Sequence, residues 1–424
     1  MGHLKKISLI LAIILSLNCY ADLIAQTPIE ATETCVDPHV KTILIYRTGW
    51  DLSMPVIYMD ENEKLNLDFD YLDTLADNYS YSVVNCTYDW KINEISERDY
   101  LAGFNNVPIT EVSQSLNTTR SFTHFSATFP NDDLKILKSG NYLVRVFKSD
   151  EPDKILLTRR FCITERLVDI KAKMKRPDIE NQEMNLSIDF GNLQLENPLS
   201  EIKVLVIKNY DWKNTVDIAT SPFLRDNTLD FDMPFQIISP GVDEFRFFDI
   251  KSLKFISERV DYIQFQNPNY LVYLKPDETR QFKPYISSKD LNGRFYIDAN
   301  DAQNRYDEAD YVYVHFILKA VQPFGSDVYI YGALTDYRID ESNFMTYNME
   351  KEEYEKTLLL KQGYYNYAYA TRDLNKKKID FDLTEGNHSE TENDYEVFVY
   401  LKRPMNDFDR LVGFKIINST GEAK

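Results

Sequence analysis

The chain has 424 residues and a formal net charge of −19, and it has no basic stripe, so nucleic acid and anionic lipid are poor candidates for its partner. One hydrophobic core rarely fills such a length, which predicts two or three domains. Hydrophobic residues make up 43% of the chain, and this excludes a disordered protein.

The first residues have the pattern of an export signal. Lys5 and Lys6 precede an apolar run from Ile7 to Leu17, which is shorter than the roughly 20 residues that span a membrane as a helix. We therefore predict a signal peptide over residues 1–25. No later apolar run approaches membrane length, so we expect no direct membrane span.

The cysteines leave two questions open. Cys19 lies inside the predicted signal and offers lipidation as an alternative, although Asn18 stands where a lipobox has a small residue. Cys35, Cys86 and Cys162 remain after cleavage, and an odd number means that at least one is free or pairs between chains. A disulfide between two of them and buried free thiols are both compatible with the sequence.

The first domain is predicted over residues 35–165 from short runs rich in β-branched and aromatic residues. Leu65–Phe69 alternates between apolar and polar residues, and Tyr79–Tyr88 follows it after a polar turn. We predict that these two runs pair as a hairpin. Further strands are predicted at Thr42–Tyr46, Ser121–Phe129, Tyr142–Phe147 and Ile155–Ile163.

Two more units follow, one predicted over residues 166–305 and one over 308–424. Met184–Phe190 alternates over its whole length, whereas Ile202–Ile207 is a more continuously apolar run and predicts a central strand buried on both faces. The last unit resembles early-set immunoglobulin-like modules, including glycogen-binding ones. Because no stretch shows sustained helical periodicity, the predicted fold class is all-β, with tandem immunoglobulin-like/early-set β-sandwich domains.

The sequence lacks the usual catalytic motifs. It contains no His-Glu-x-x-His, no Gly-x-Ser-x-Gly and no glycine-rich phosphate loop. We therefore predict no catalytic residues, no cofactor and no metal site. The acidic segment Glu385–Asp394 is predicted to be an exposed loop, and a glycoside hydrolase is the least favoured reading because its carboxylate pair is set by distance in space.

A family resemblance extends over nearly the whole mature chain. It is carried by Tyr100–Asn105, Ser115–Thr118, Thr123–Ser126, Phe129–Asn131, Ser139–Tyr142, Thr158–Phe161, Asp243–Leu253, Lys361–Tyr367, Glu385–Asn387 and Glu392–Tyr395. In order and spacing these segments resemble the plug-protein family of the type IX secretion system of Bacteroidetes, formerly a domain of unknown function.

That resemblance implies a function that composition alone does not. It implies a non-enzymatic periplasmic protein, peripheral to the inner face of the outer membrane, that caps the large β-barrel translocon of the SprA/Sov type. The predicted contact residues lie in polar loops between strong strands, where side chains are held but free to bind. They are Asn105, Asn106, Tyr210, Trp212, Glu385, Asn387, Glu392 and Asn393.

The alternative function is that of a carbohydrate-binding accessory protein. It rests on the last unit alone and requires a row of exposed aromatic rings on one face. The candidates for that row are Tyr329, Tyr331, Tyr337, Tyr364, Tyr365, Tyr367 and Tyr369.

Overall fold

The computed structural model describes residues 31–72, 77–191, 193–218, 222–231, 237–372, 379–403 and 408–421. The predicted signal peptide and Cys19 lie outside the described residues. Several antiparallel sheets and very short helices make up the fold, which confirms the predicted all-β class. None of the described helices is long and apolar enough to cross a membrane.

The first sandwich, residues 34–164, packs two main sheets face to face. One sheet has the order β1-β12-β11-β5-β7 with β3 beside β12, the other has the order β2-β4-β9-β8, and β6 pairs with β10. Its elements are β1 Thr34–Cys35, β2 Val40–Arg47, β3 Val56–Tyr58, β4 Leu65–Tyr71, β5 Tyr79–Cys86, α1 Glu97–Tyr100, β6 Leu101–Gly103, β7 Val107–Pro108, β8 Glu111–Gln114, β9 Thr123–Phe129, β10 Leu134–Ile136, β11 Gly140–Lys148 and β12 Ile155–Thr164.

The predicted hairpin between the runs at 65–69 and 79–88 is wrong. β4 pairs with β2 and β9, whereas β5 pairs with β11 and β7 in the opposite sheet. The two strands face each other across the core, where the rings of Phe69 and Tyr79 meet edge to face with their centroids 5.8 Å apart. Alternation identifies a strand and its buried face, but it does not identify the strand's partner.

The rest of the chain forms two sandwiches, one inserted into the other. The elements that follow the first sandwich are β13 Asp169–Lys175, β14 Asn181–Asp189, α2 Pro198–Glu201, β15 Ile202–Lys208, β16 Asp211–Thr215, β17 Phe223–Arg225, β18 Thr228–Phe231, β19 Ile238–Pro240, β20 Arg246–Asp249, β21 Val260–Gln266, β22 Asn269–Leu274, β23 Asp277–Glu278, β24 Phe295–Ile297, α3 Arg305–Glu308, β25 Tyr311–Lys319, β26 Asp327–Tyr331, β27 Thr346–Asn348, β28 Glu353–Lys361, β29 Gly363–Arg372, β30 Ile379–Asp380, β31 Asp394–Leu401 and β32 Arg410–Asn418. A single 3₁₀ turn, Ala333–Thr335, follows β26.

The sheet pairing corrects the predicted boundary between the last two units. β15 pairs with β31 along its whole length, from Ile202 opposite Leu401 to Lys208 opposite Tyr395. The sheet β16-β15-β31-β32 packs on the sheet β13-β14-β18-β17, with β19 beside β14, so residues 168–240 and 393–420 share one core. We call this unit the middle sandwich.

The third unit lies inside the middle sandwich in the chain order. β20 pairs with β29, and β21 and β22 extend the sheet of β25, β28 and β27, so residues 244–392 form one core. We call this unit the inserted sandwich. A division at residues 305–308 would cut through it, because strand signals in the sequence carry no information about pairing between segments that lie far apart.

The three cysteines of the described residues are free thiols. Cys86 and Cys162 are fully buried, and burial raises the pKa of the Cys86 thiol to about 12. A thiol with so high a pKa is inert at neutral pH, since the thiolate is the reactive form. Of the two open possibilities for the cysteines, the structure therefore has the free thiols.

Candidate contact loops and the junctions that hold them

The loop of Asn105 and Asn106 lies between β6 and β7 and is held by one of its two asparagines. The Asn105 side chain accepts a hydrogen bond from the Val83 N–H (2.7 Å) and donates to the Val83 carbonyl (3.0 Å) and to Glu97 Oε1 (2.7 Å). The Asn105 side chain therefore makes the two hydrogen bonds to the Val83 backbone that a neighbouring strand would make to β5. Asn106 is exposed, and the ring of Phe104 beside it is 73% exposed. Both asparagines were predicted to have the same role, but Asn105 anchors the loop and Asn106 faces solvent.

Tyr210 and Trp212 lie at a junction and not at a free loop tip. The Trp212 ring meets the buried Trp90 ring of the first sandwich edge to face, with a centroid distance of 4.9 Å, and lies 5.3 Å from the ring of Phe398 on β31. Nearby, the Tyr400 hydroxyl donates to Asn141 Oδ1 of the first sandwich at 2.9 Å. We call this contact between the first and middle sandwiches the aromatic junction.

Tyr210 serves the contact between the middle and inserted sandwiches. The Arg294 guanidinium stacks 3.6 Å from the centre of its ring, and its hydroxyl donates to Asp394 Oδ2 at 3.1 Å. Its backbone N–H donates to Glu396, a fully buried carboxyl whose other oxygen has no hydrogen-bond partner among the described residues. Burial, with the nearby charge of Asp394, raises the pKa of Glu396 to about 8.

The first and inserted sandwiches meet around a buried charge. Lys361 Nζ lies 2.6 Å from Asp70 Oδ2, and both side chains are almost completely buried. The Tyr311 hydroxyl donates to the same carboxylate at 2.7 Å, and His124 Nδ1 lies 2.7 Å from its other oxygen. Burial acts to raise the pKa of Asp70, but the Lys361 charge and the His124 hydrogen bond hold it below its usual value. We call this contact the charged junction.

Glu385 is the centre of a second buried ion cluster. The prediction that it lies on an exposed loop is therefore wrong. Arg246 Nη2 and Arg280 Nη2 lie 2.9 Å and 2.7 Å from its Oε2 atom, and the Tyr369 N–H donates to Oε1 at 2.8 Å. Although burial opposes ionisation, these two arginines lower the pKa of Glu385 to about 2. The residue therefore fixes the loop to the inserted sandwich and is unavailable to a partner.

The other predicted residues of this loop also face inward. Asn387 is half-buried and donates to Asp382 Oδ1 at 3.2 Å. Asn393 is buried, donates to Gln182 Oε1 at 3.2 Å and accepts from Asn209 Nδ2 at 2.8 Å. Glu392 is half-buried and accepts a hydrogen bond from Asn418. Of these contacts, Glu392–Asn418 joins the inserted sandwich to the middle one, and the others lie within one sandwich. Of the eight predicted contact residues, only Asn106 is well exposed.

The aromatic row that the carbohydrate-binding alternative requires is not on the surface. Tyr329, Tyr331, Tyr365, Tyr367 and Tyr369 are each less than 5% exposed, and they form part of the core or of buried hydrogen bonds. Tyr337 and Tyr364 are half-buried. The alternating aromatic residues of these strands pack inward on one face and against neighbouring loops on the other.

The most exposed apolar side chains were missed by sequence reasoning. They are Phe282 (91%), Val321 (83%), Ile179 (79%), Ile286 (78%), Phe255 (77%), Met349 (75%) and Phe104 (73%). Each lies outside the strands, where a large apolar residue has no core to fill. An apolar residue between turn-forming residues was the available signal, and it marks a candidate for partner contact.

The fold and these loops define a class of protein, namely a scaffold of three β-sandwiches locked together by buried junctions. Across the described ranges, no three His, Cys, Asp or Glu side chains form a group that could hold a metal ion. A family model, the first domain of the type 9 secretion system plug protein, matches residues 40–165. Residues 40–165 therefore form a domain of the type IX secretion system plug protein family, and this supports a role of the chain related to that plug.

A solved structure shares the architecture over nearly the whole chain. It is the crystal structure of a hypothetical protein from Parabacteroides merdae ATCC 43184 at 2.30 Å resolution, and it is 30% identical with a TM-score of 0.88. The match covers 92% of this chain and 100% of that chain, so the inserted arrangement of the sandwiches is common to both. A comparison with curated proteins found no match.

Proposed function

We propose that this protein is a non-enzymatic periplasmic plug that caps the periplasmic end of the type IX outer-membrane translocon, a large β-barrel of the SprA/Sov type. In the resting state it would prevent leakage through the pore. The observation that carries the proposal is the family match over residues 40–165. The export signal expected over residues 1–25 fits the proposed location.

Rigidity supports this proposal, because a cap over a wide pore must keep its shape. The aromatic junction, the charged junction and the Tyr210–Arg294 contact join each sandwich to both of the others. Buried ring contacts, together with an ion pair that is also hydrogen-bonded to Tyr311 and His124, favour one relative arrangement of the units. The chain can therefore act as a single body that docks and leaves without rearranging.

The loop 104–106 is the best-supported contact element within the first domain. Asn105 holds it to β5, while Phe104 and Asn106 face solvent. A cap that must be released needs a modest interface with few strong anchors, and a pre-positioned aromatic side chain is the usual anchor of such an interface.

A genetic experiment tests the capping function. Deletion of the gene should sensitise cells to large antibiotics that the outer membrane normally excludes, because the pore is left open. Deletion of the translocon as well should restore the barrier, because an absent pore needs no cap. If the single deletion leaves the barrier intact, or if the double deletion remains leaky, the capping function is wrong.

A biochemical experiment tests the contact loop. The tagged protein is purified from detergent-solubilised membranes, and the amount of large barrel that co-purifies is measured for Phe104→Ala and for the control Phe223→Ala, an exposed ring on β17 that is not among the candidate contacts. Both rings are exposed, so neither change should affect folding. We expect the first variant to lose most of the barrel and the control to retain it. Equal retention by both variants would place the interface elsewhere.

A further inference from the structure

The middle sandwich has an open seam between two edge strands. Within the described residues, β13 pairs with β14 alone and β32 pairs with β31 alone. The two edges are joined at one end, where the Glu165 and Leu167 N–H groups donate to the carbonyls of Leu411 and Val412, each at 2.9 Å. Glu165 and Leu167 precede β13, and the backbones of β13 and β32 themselves do not pair within the described residues.

The closed end of the seam is tightly packed. A Cβ atom added to Gly413 would lie 2.4 Å from Val168 Cγ2, and Lys415 Nζ donates to the Ile170 carbonyl at 2.7 Å. Past Ile170 the edges flank a cleft of ≈ 940 Å³, which is near the upper end of the volumes of ligand pockets in general. We call it the seam cleft.

The walls of the seam cleft combine edge backbone with apolar surface. Residues 171–174 of β13 and 414–418 of β32 form two sides, and the first sandwich supplies the third side with Trp50 and Tyr58. Trp50 is 52% exposed, and Phe414 and Ile416 are half-buried. An unpaired strand edge beside such a floor is the arrangement that binds an extended peptide by strand addition.

The charge of the seam cleft is opposite to that of the chain. Its described lining contains Arg47, Lys171, Lys173, Arg294 and Lys415 and no Asp or Glu, although the chain as a whole carries a formal charge of −19. Arg47 pairs with Glu63 and Lys171 pairs with Asp169 just outside the lining, which leaves an excess of positive charge along both edges. Such a cleft attracts acidic segments.

We propose that the seam cleft binds an extended, acidic segment of a partner protein, which adds as a strand to the edge of β13 or β32. The backbone of the segment pairs with the free edge, its apolar side chains pack on Trp50 and Phe414, and its carboxylates face Lys171 and Lys173. This site lies outside loop 104–106, and the proposal does not depend on the capping function.

A second explanation of the lysines is that they only protect an exposed edge from aggregation, since charged residues on edge strands commonly do so. The two explanations differ in what they expect of a peptide. Edge protection requires no affinity for an acidic strand, whereas the binding site requires an affinity that depends on both charge and backbone pairing.

The test uses the full mature chain and a fluorescein-labelled peptide of about eight residues, a usual strand length, in which glutamate and valine alternate. Binding is measured by fluorescence anisotropy. We expect saturable binding that is about tenfold weaker when lysine replaces glutamate, a change of roughly 1.4 kcal/mol.

N-methylation of alternate amides, which removes donors along one edge of the peptide, should weaken binding by a similar factor. Equal binding of the acidic and basic peptides, or no loss on N-methylation of either edge, overturns the proposal.

Variants of the protein locate the binding to the cleft. Lys171→Glu together with Lys173→Glu should weaken binding of the acidic peptide about tenfold, which again corresponds to roughly 1.4 kcal/mol. The matched control is Lys154→Glu, because Lys154 is also exposed but does not line the cleft. Both sites are on the surface, and thermal unfolding verifies that the variants fold. If the double variant binds as tightly as the control, the proposal is wrong.

Hydrogen exchange gives a measurement that does not depend on the substitutions. Added acidic peptide should slow amide exchange in residues 171–175 or 414–418 and leave β5 unchanged. Protection that appears in the absence of peptide, and only at high protein concentration, would identify a second copy of this chain as the occupant and would overturn the acidic partner.

Discussion

The aromatic junction and the charged junction join the first sandwich to its two neighbours by different physical means. Trp90, Trp212 and Phe398 contribute through buried apolar area and ring geometry, which tolerate small shifts. Lys361 and Asp70 contribute only if their atoms meet, because two desolvated charges that fail to pair are costly. The aromatic junction stabilises the contact between two sandwiches. The charged junction fixes the register of its two sandwiches, that is, their relative position.

Removal of one charge should have the largest effect on stability. Lys361→Ala leaves Asp70 buried without its cation, and we expect the free energy of unfolding to fall by about 3–5 kcal/mol. Urea denaturation followed by circular dichroism measures this. The double variant Asp70→Asn with Lys361→Met keeps an acceptor for Tyr311 and removes both charges, so it should recover most of the loss. A small effect of Lys361→Ala alone would mean that the charged junction does not fix the register.

Truncation of the aromatic junction should cost less. Trp212 is half-buried, so Trp212→Ala should lower the free energy of unfolding by about 2–3 kcal/mol, below the usual cost for a fully buried tryptophan. Because Trp212 carries no charge and the Arg160 guanidinium lies over the other ring, that of Trp90, the loss should be nearly the same at low and high salt. A loss that varies strongly with salt would contradict the distinction between the two junctions. Trp212→Phe, which keeps an aromatic ring, serves as the control.

The contact between the middle and inserted sandwiches should respond to pH through Glu396. Burial raises its pKa from the ordinary glutamate value of 4.5 to about 8, so the folded protein holds a proton that the unfolded chain releases. The contribution of Glu396 to the free energy of unfolding therefore falls as the pH rises from about 4.5 to about 8. It falls by at most about 1.4 kcal/mol for each pH unit. Glu396→Gln removes the titration.

The measurement compares thermal unfolding at about pH 5 and about pH 7.5. Relative to Glu396→Gln, we expect the natural protein to lose about 1–2 kcal/mol between these values, less than the full linkage because solvent and neighbours relax. Glu385 should act in the opposite direction, since its pKa of about 2 gives a contribution that is present above about pH 4.5 and is lost only in strong acid. Identical pH profiles of the two proteins would refute the role of Glu396.

The smallest effects are expected within loop 104–106, where two adjacent asparagines differ in kind. Asn105→Ala removes the hydrogen bonds to Val83 and should cost about 1–2 kcal/mol, with faster exchange of the Val83 amide. Asn106→Ala should change stability by less than about 0.5 kcal/mol. Equal effects of the two substitutions would show that the loop is not anchored through Asn105.

The strands could be predicted from the sequence because their signal is local. The predicted strand Met184–Phe190 overlaps β14, whose residues alternate between buried and half-buried positions as the residue pattern requires. The partners of the strands could not be predicted, because β15 pairs with a strand almost two hundred residues later along the chain. The β4–β5 error has the same origin.

The burial of most predicted contact residues could not be predicted for a related reason. Residues 385–394 have the composition of a solvated loop, and nothing nearby in the sequence shows that Arg246 and Arg280 reach Glu385. Burial of a polar residue is set by groups that are distant in the chain, so composition alone cannot identify it. The sequence did identify the loop of Asn105 and Asn106, but only the hydrogen bonds to Val83 distinguish the two residues.

The insertion of one sandwich into another sets an order of assembly. A chain that emerges from its amino end delivers every strand of the first and inserted sandwiches before β31 and β32, the strands that complete the middle core. Until then the strand Ile202–Lys208 lacks its partner β31, and closing that contact carries the entropic cost of a very long loop. The last two strands therefore close the middle sandwich. Before they are synthesised, its incomplete core is the part of the chain that a chaperone would have to protect.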